Sequence, residues 1–136
     1  MTQNQKRLFE KEYAQELFRI AKGDLESAVT LKSGPGRKEN IVYMCQQAVE
    51  KSIKSVLVHH QIAFPLIHDL GSLIGLLPDQ FMPPGGFNLI ELNPFASVRR
   101  YEEGSLALLP EEIEAAMGAA NLVINWCQNQ ISLSAK

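Results

Sequence analysis

The chain has 136 residues, of which 46% are hydrophobic and 21% charged, and its formal net charge is −2 at pH 7. This length fits one ordinary globular domain, so we expect residues 1–136 to form a single domain. The near-neutral charge excludes nucleic-acid binding that rests on a globally basic surface. No apolar run approaches the roughly 20 residues that cross a bilayer, and the amino end is too polar for a secretory signal, so we expect a cytoplasmic protein.

The amino-terminal half contains two long amphipathic patterns. Apolar residues recur at intervals of three and four from about residue 6 to 32, which predicts a helix. The run Ser33–Gly36 ends it, because proline and glycine break the helical hydrogen-bond ladder. A second helix is predicted from about Lys38 to Gln61, ahead of Phe64 and Pro65. The short loop between these helices predicts an antiparallel hairpin.

A third, shorter helical pattern follows through Leu70, Leu73, Ile74 and Leu77. Asp69 or His68 is expected near its N-cap, where a side chain can accept from free backbone amides. His68 followed by Asp69 is more often such a cap than a catalytic dyad.

Proline dominates the segment between residues 78 and 110, which holds five of the seven prolines. We therefore expect only a turn of helix there, at about residues 87–92. A last helix is predicted over about residues 110–131, because Pro110 suits the first helical position. No segment has the period of a strand, so the predicted fold class is all-α, an antiparallel up-and-down helical bundle of four to five helices.

The cysteines and histidines do not form a metal-binding pattern. Cys45 and Cys127 lie far apart within apolar helical patterns, which favours buried free thiols over a disulfide or a zinc site. His59 and His60 are adjacent, so on a helix they point in different directions and cannot share a metal alone. With no Cys/His cluster and no EF-hand spacing, we expect no metal and no cofactor.

One helix carries a resemblance to a known family. The run Met44–Leu57, MCQQAVEKSIKSVL, resembles the QQAxEKxxKxxL helix of HEPN domains (higher eukaryotes and prokaryotes nucleotide-binding). Three further features agree in order: Ala21–Leu25 with Ala28, His68–Leu70, and Arg99–Tyr101. Together they span roughly residues 10–130.

The resemblance implies a helical bundle that commonly dimerises, so a homodimer is expected, with a role in nucleotide or RNA biology. Small prokaryotic HEPN proteins are often encoded beside an MNT-type nucleotidyltransferase, and many such pairs act as toxin and antitoxin. A nucleotidyltransferase partner is therefore expected here.

In the nuclease branch of the family, RNA is cleaved with an Arg-x4-6-His motif. This chain departs from that pattern, because all three histidines precede Arg99 and Arg100 and no other arginine has a histidine at the required spacing. A metal-independent RNase needs a group that titrates near neutrality, and histidine is the usual one. We therefore expect no family-type nuclease and assign no catalytic residue, which favours a binding protein over an enzyme.

The polar residues of the second helix are candidate ligand contacts. Positions 46, 50 and 54 share one helical face and positions 47, 51 and 54 the neighbouring one. One interpretation is a solvated strip with a Glu50–Lys54 pair worth only about 0.3–0.5 kcal/mol. The other is a groove wall in which lysines meet phosphate and glutamine meets a base or ribose.

Arg99 and Arg100 are candidate anion ligands, because guanidinium offers phosphate a planar fork of donors. Tyr101 could add a stacking face, or accept a nucleotidyl group from a partner transferase, as tyrosines near the arginine motif do in some family members. Alternatively, one arginine pairs with Glu102, Glu103 or the acidic start of the last helix at Glu111 and Glu112.

The predicted phosphate or nucleotide site therefore consists of Gln47, Lys51, Lys54, Arg99, Arg100 and Tyr101. The secondary candidates are Gln46, Glu50, His68 and Asp69. Two alternatives remain open: an atypical RNase built around Arg99 with His68 arriving from another helix, and a helical adaptor that binds only its protein partner.

Overall fold

The computed structural model describes residues 8–92 and 108–133, and all regular structure in these two ranges is helical. Four α-helices are named here in chain order: α1 Tyr13–Ser33, α2 Lys38–His59, α3 Leu70–Ile74 and α4 Pro110–Leu133. Two 3-10 segments, Asp79–Phe81 and Gly86–Leu92, lie between α3 and α4. The predicted all-α class and helical bundle are confirmed.

Helix α2 is the central element. Twelve of its 22 residues are buried, against five of 21 in α1, because α2 packs against both α1 and α4 while α1 exposes one side to solvent. An ion pair between Lys32 and Glu114 joins the end of α1 to the start of α4, so these two helices run antiparallel. The core between the three long helices is lined by aliphatic side chains such as Ile53, Leu57 and Val123.

The predicted start of the first helix was wrong, since α1 begins at Tyr13 rather than near residue 6. Phe9 lies outside the helix, where its ring stacks on Phe64 with centroids 5.7 Å apart. The reason lies in Gln61, whose side-chain Oε1 accepts from the amides of Leu8 and Phe9 at 2.8 and 3.1 Å. A contact from a residue far along the chain thus replaces the helical bonds that periodicity predicted.

The end of α2 also differs by two residues from the prediction, because Gln61 adopts a left-handed conformation with φ of 59°. Its amide donates to the carbonyl of Val58, and the next amide, of Ile62, reaches back to Leu57. These two bonds form a Schellman C-cap, in which the left-handed position is usually glycine. Glycine at this position would lack the side chain of Gln61, which binds the amides of Leu8 and Phe9.

The shorter elements begin and end close to the positions that the sequence predicts. Asp69 caps α3 and accepts from the amide of Ser72 at 2.9 Å, whereas His68 takes no part in the cap. The helix ends at Ile74, before the predicted Leu77, although Leu77 is still buried. The expected turn near residues 87–92 is the second 3-10 segment, and α4 continues two residues beyond its predicted end.

Both cysteines are free and buried, as predicted. Burial raises the pKa of each thiol to about 11; for Cys127, hydrogen bonding from Ser55 and Ser52 opposes that effect in part. None of the helices in residues 8–92 and 108–133 combines the length and apolar character needed to span a bilayer.

Candidate functional site

A buried carboxylate lies at the middle of α2. The side chain of Glu50 is fully buried, yet each of its oxygens has a donor: Oε1 accepts from Gln46 Nε2 at 3.0 Å, and Oε2 accepts from Lys54 Nζ at 2.8 Å. The same Oε2 lies 2.7 Å from Nδ1 of His68. Glu50 therefore joins residues of one helix turn to the segment that enters α3.

The hydrogen bonds continue from Glu50 toward α1 through a relay of two amides. Gln46 Oε1 accepts from Gln47 Nε2 at 2.8 Å, and Gln47 Oε1 accepts from Lys51 Nζ at 2.9 Å. The same ammonium lies 3.4 Å from Oδ2 of Asp24 on α1. Each amide thus donates toward the carboxylate of Glu50 and accepts from the side of Lys51.

These residues form what we name the α2 polar cluster: Asp24, Gln46, Gln47, Glu50, Lys51, Lys54 and His68. The interpretation of a solvated strip was wrong for its inner face, because Gln46 and Glu50 are fully buried. The expected Glu50–Lys54 pair is present, but in a setting where water screens it little.

The charge state of Glu50 follows from competing effects. Burial raises the pKa of its carboxyl group, but the hydrogen bonds and charges of Lys54 and His68 together outweigh burial and lower the pKa below its ordinary value. An ionised carboxylate can only accept hydrogen bonds, so Nδ1 of His68 is the donor in their contact. That bond fixes the tautomer of the imidazole and leaves Nε2 on the far side of the ring.

His68 differs from the rest of the cluster in exposure. Its side chain is 77% exposed, whereas that of Lys54 is 13% exposed. The ammonium of Lys54 also lies 5.8 Å from the ring centroid of Phe64, within the range of a cation–π interaction. The cluster is therefore open to solvent through His68 and closed around Lys54.

The structure brings together six of the ten candidate residues. Gln46, Gln47, Glu50, Lys51, Lys54 and His68 are in contact, whereas Asp69 caps α3 through Ser72. Arg99, Arg100 and Tyr101 lie outside the described residues. Sequence reasoning missed the parts played by Asp24 and Phe64. Asp24 lies within Ala21–Leu25, the part of the first helix that resembles the HEPN family, and this resemblance could have marked it as a candidate.

His59 and His60 lie at the other end of α2 and play no part in the cluster. Their rings are close, with centroids 5.0 Å apart in an edge-on arrangement, and His60 stacks on Phe81 at 4.1 Å. Burial lowers the pKa of both imidazoles, and in His59 the neighbouring histidine adds to that effect. Within the described ranges, no three His, Cys, Asp or Glu side chains are grouped to hold a metal ion.

Comparison with known proteins identifies the family. The family model described as "HEPN domain" matches residues 14–130, which is most of the chain and includes every described member of the α2 polar cluster. The chain belongs to the HEPN domain family. No curated protein matches it.

The HEPN assignment agrees with the fold of a solved structure. The crystal structure of an archaeal HEPN homologue is similar to this chain, with a TM-score of 0.63 and 24% sequence identity. The match covers 87% of this chain and 97% of that one. At this identity the likeness shows a common HEPN fold, and the chemistry has to be argued from the α2 polar cluster itself.

Proposed function

We propose that this HEPN protein binds the phosphate of a nucleotide or of RNA along α2, with Gln47 and Lys51 as contacts, Lys54 as the less exposed cation beside them, and Arg99 and Arg100 completing the site. The observation that supports this most directly is the concentration of two ammonium groups and an exposed imidazole around one helix face. An ammonium has three donors, and within the described residues the contacts of Lys51 use two of them.

The proposal includes a cellular setting. The protein works as a homodimer with an MNT-type nucleotidyltransferase, as a component of a toxin–antitoxin pair, and Tyr101 is a candidate acceptor of a nucleotidyl group. Support for this comes from the family resemblance. Co-expression with the nucleotidyltransferase of a neighbouring gene, followed by co-purification and mass analysis, tests the partner and the modification together.

Charge reversal tests the binding function. Arg99→Glu with Arg100→Glu should lower the affinity for a fluorescent hexauridylate at least tenfold in an anisotropy titration, because two attractive contacts become repulsive. Arg37→Glu is the matched control, since this exposed arginine lies roughly 20 Å along α2 from Lys51. If the parent protein binds no oligonucleotide or nucleotide, or the reversed variant binds equally well, the site assignment is wrong. Binding of the transferase without nucleotide affinity would instead identify a helical adaptor.

A second candidate function, an atypical metal-independent RNase, is favoured by one specific contact. A carboxylate that fixes Nδ1–H of a histidine leaves Nε2 able to take or give a proton, which is the orientation that acid–base histidines require. Cleavage of RNA by the parent protein, lost in His68→Ala and in Arg99→Ala, would establish this activity. A protein that binds RNA and leaves it intact would exclude it.

A further inference from the structure

The described charges of the α2 polar cluster balance unless His68 carries a proton. The carboxylates of Asp24 and Glu50 offset the ammonium groups of Lys51 and Lys54, each within an ion pair. An anion approaching the cluster therefore meets no net positive charge while His68 is neutral, and the carboxylate of Asp69 at the start of α3 adds a further negative charge. Protonation of His68 is the change that makes this set of groups cationic.

The position of His68 suits it to contact a bound anion. Nδ1 is occupied by Glu50, and the side chain is 77% exposed, so the second ring nitrogen is the one available to a ligand. In the protonated ring both nitrogens are donors, so Nδ1–H can stay on Glu50 while Nε2–H donates to a phosphate oxygen. A neutral ring with its hydrogen on Nδ1 presents a lone pair at Nε2, which repels that oxygen.

We propose that His68 is a phosphate-contacting residue that binds in its protonated form, so that capture of a phosphodiester by this site takes up a proton. The inference rests on the proposed binding function and adds to it the charge state in which the site is competent. Proton uptake and anion affinity are then reciprocal: a lower pH raises the affinity, and the ligand stabilises the protonated imidazole.

The charged groups around His68 are consistent with this assignment. On α2, Glu50 attracts the imidazolium directly, whereas Lys54 opposes it through the same carboxylate oxygen. Lys51 and Asp24 neutralise each other at the α1 side of the cluster. At the start of α3, Asp69 directs Oδ2 to the backbone amide and the hydroxyl of Ser72. His68 is thus the cluster member that combines an anchored Nδ1 with an exposed ring.

Isothermal titration calorimetry can count the proton. The probe is a hexauridylate without terminal phosphates, because its phosphodiesters keep the same charge between pH 5.5 and 8. Titration at pH 6.5 in MES and in bis-Tris, at equal ionic strength, separates the binding heat from the buffer's ionisation heat. We expect heats that differ between the two buffers in the sense of proton uptake, because the ligand favours the protonated ring. Affinity should fall about tenfold from pH 5.5 to 8, the scale of one charged contact.

Two variants make the test specific. His68→Gln keeps a side chain that can donate to Glu50 but cannot become charged, so it should abolish the proton uptake and flatten the pH profile. His59→Gln is the matched control, because it removes a histidine at the far end of α2 and should leave both quantities unchanged. Circular dichroism at each pH confirms that the variants remain folded.

The outcomes separate this inference from the function on which it rests. Binding with equal heats in the two buffers, or a pH profile unaltered by His68→Gln, would overturn the role of His68 and leave phosphate binding standing. Absence of any binding from pH 5.5 to 8 would overturn both. Loss of the pH dependence in His59→Gln would assign the proton to another histidine and refute the inference.

Discussion

Replacing Lys54 by methionine should strongly destabilise the folded protein, because it leaves a buried carboxylate without the ammonium that pairs with it. Glu50 is fully buried and the side chain of Lys54 is 13% exposed, so solvent provides little compensation for the lost charge. Methionine fills a similar volume, which limits any contribution from a cavity. The change therefore isolates the electrostatic part of the interaction.

The expected loss in the free energy of unfolding is about 3 kcal/mol at pH 8, the lower end for removing one partner of a buried pair. His68 and Gln46 still donate to Glu50, which is why we choose the lower end. In the parent protein the lowered pKa of Glu50 gives stability that is present above the ordinary carboxyl pKa and is lost as the pH falls through the lowered value. Without Lys54, burial is less well opposed, so the carboxyl group takes up a proton at higher pH. The penalty should therefore be smaller at pH 5 than at pH 8.

Two further variants control for the packing of α2. Lys51→Met removes the other ammonium, which is more exposed at 25%, and should cost less than Lys54→Met. The double variant Glu50→Leu with Lys54→Met removes both charges and should recover part of the loss, since well-packed apolar residues often replace a buried ion pair at little cost.

Urea denaturation followed by circular dichroism and by the fluorescence of Trp126 measures these differences. With an m-value of about 2 kcal/mol/M, a loss of 3 kcal/mol moves the midpoint by about 1.5 M. A loss of less than about 1 kcal/mol at pH 8, or a double variant no more stable than Lys54→Met, would refute the account of Glu50 as a buried charge that depends on Lys54.

Three other contacts give separate predictions. Asp69→Ala should destabilise by about 1 kcal/mol in urea denaturation through loss of the α3 cap, with Asp69→Ser retaining most of the stability. Gln61→Gly relieves the strain of a left-handed backbone but removes the side-chain hydrogen bonds to the amides of residues 8–9. Hydrogen exchange at these two amides should therefore accelerate. Because the two effects oppose each other, the global free energy of unfolding should change by less than about 1 kcal/mol. Because burial raises the pKa of Cys45 and Cys127 to about 11, neither thiol should react with a disulfide reagent at pH 8 until urea unfolds the protein; rapid native reaction would contradict their burial.

The sequence predicts the long helices well, because the three-and-four spacing of apolar residues is local and strong. Errors occur where a distant residue decides the local structure. Phe9 fits the helical period but joins Phe64, because the Gln61 side chain binds the amide of Phe9. The left-handed position at the end of α2 is occupied by Gln61 and not by glycine, so the sequence did not mark where the helix ends.

The site was predictable as a set of polar positions but not as a network. The helical period correctly placed Glu50 and Lys54 one turn apart. Periodicity cannot reveal that Glu50 is buried, because one of its hydrogen-bond donors, His68, lies 18 residues further on. Nor does spacing within α2 reveal Asp24, which reaches Lys51 from α1. These contacts depend on how the helices pack against each other, and the apolar pattern of a single helix does not specify that packing.

The relay between Gln46 and Gln47 constrains how this protein can change during evolution. Each amide must donate in one direction and accept in the other, so glutamate would lose a donor and asparagine would fall short of its partner. A substitution at either position leaves a polar group without its partner until a second position changes. We therefore expect related sequences to keep the Gln46–Gln47 pair and Glu50 together, or to replace them as a group.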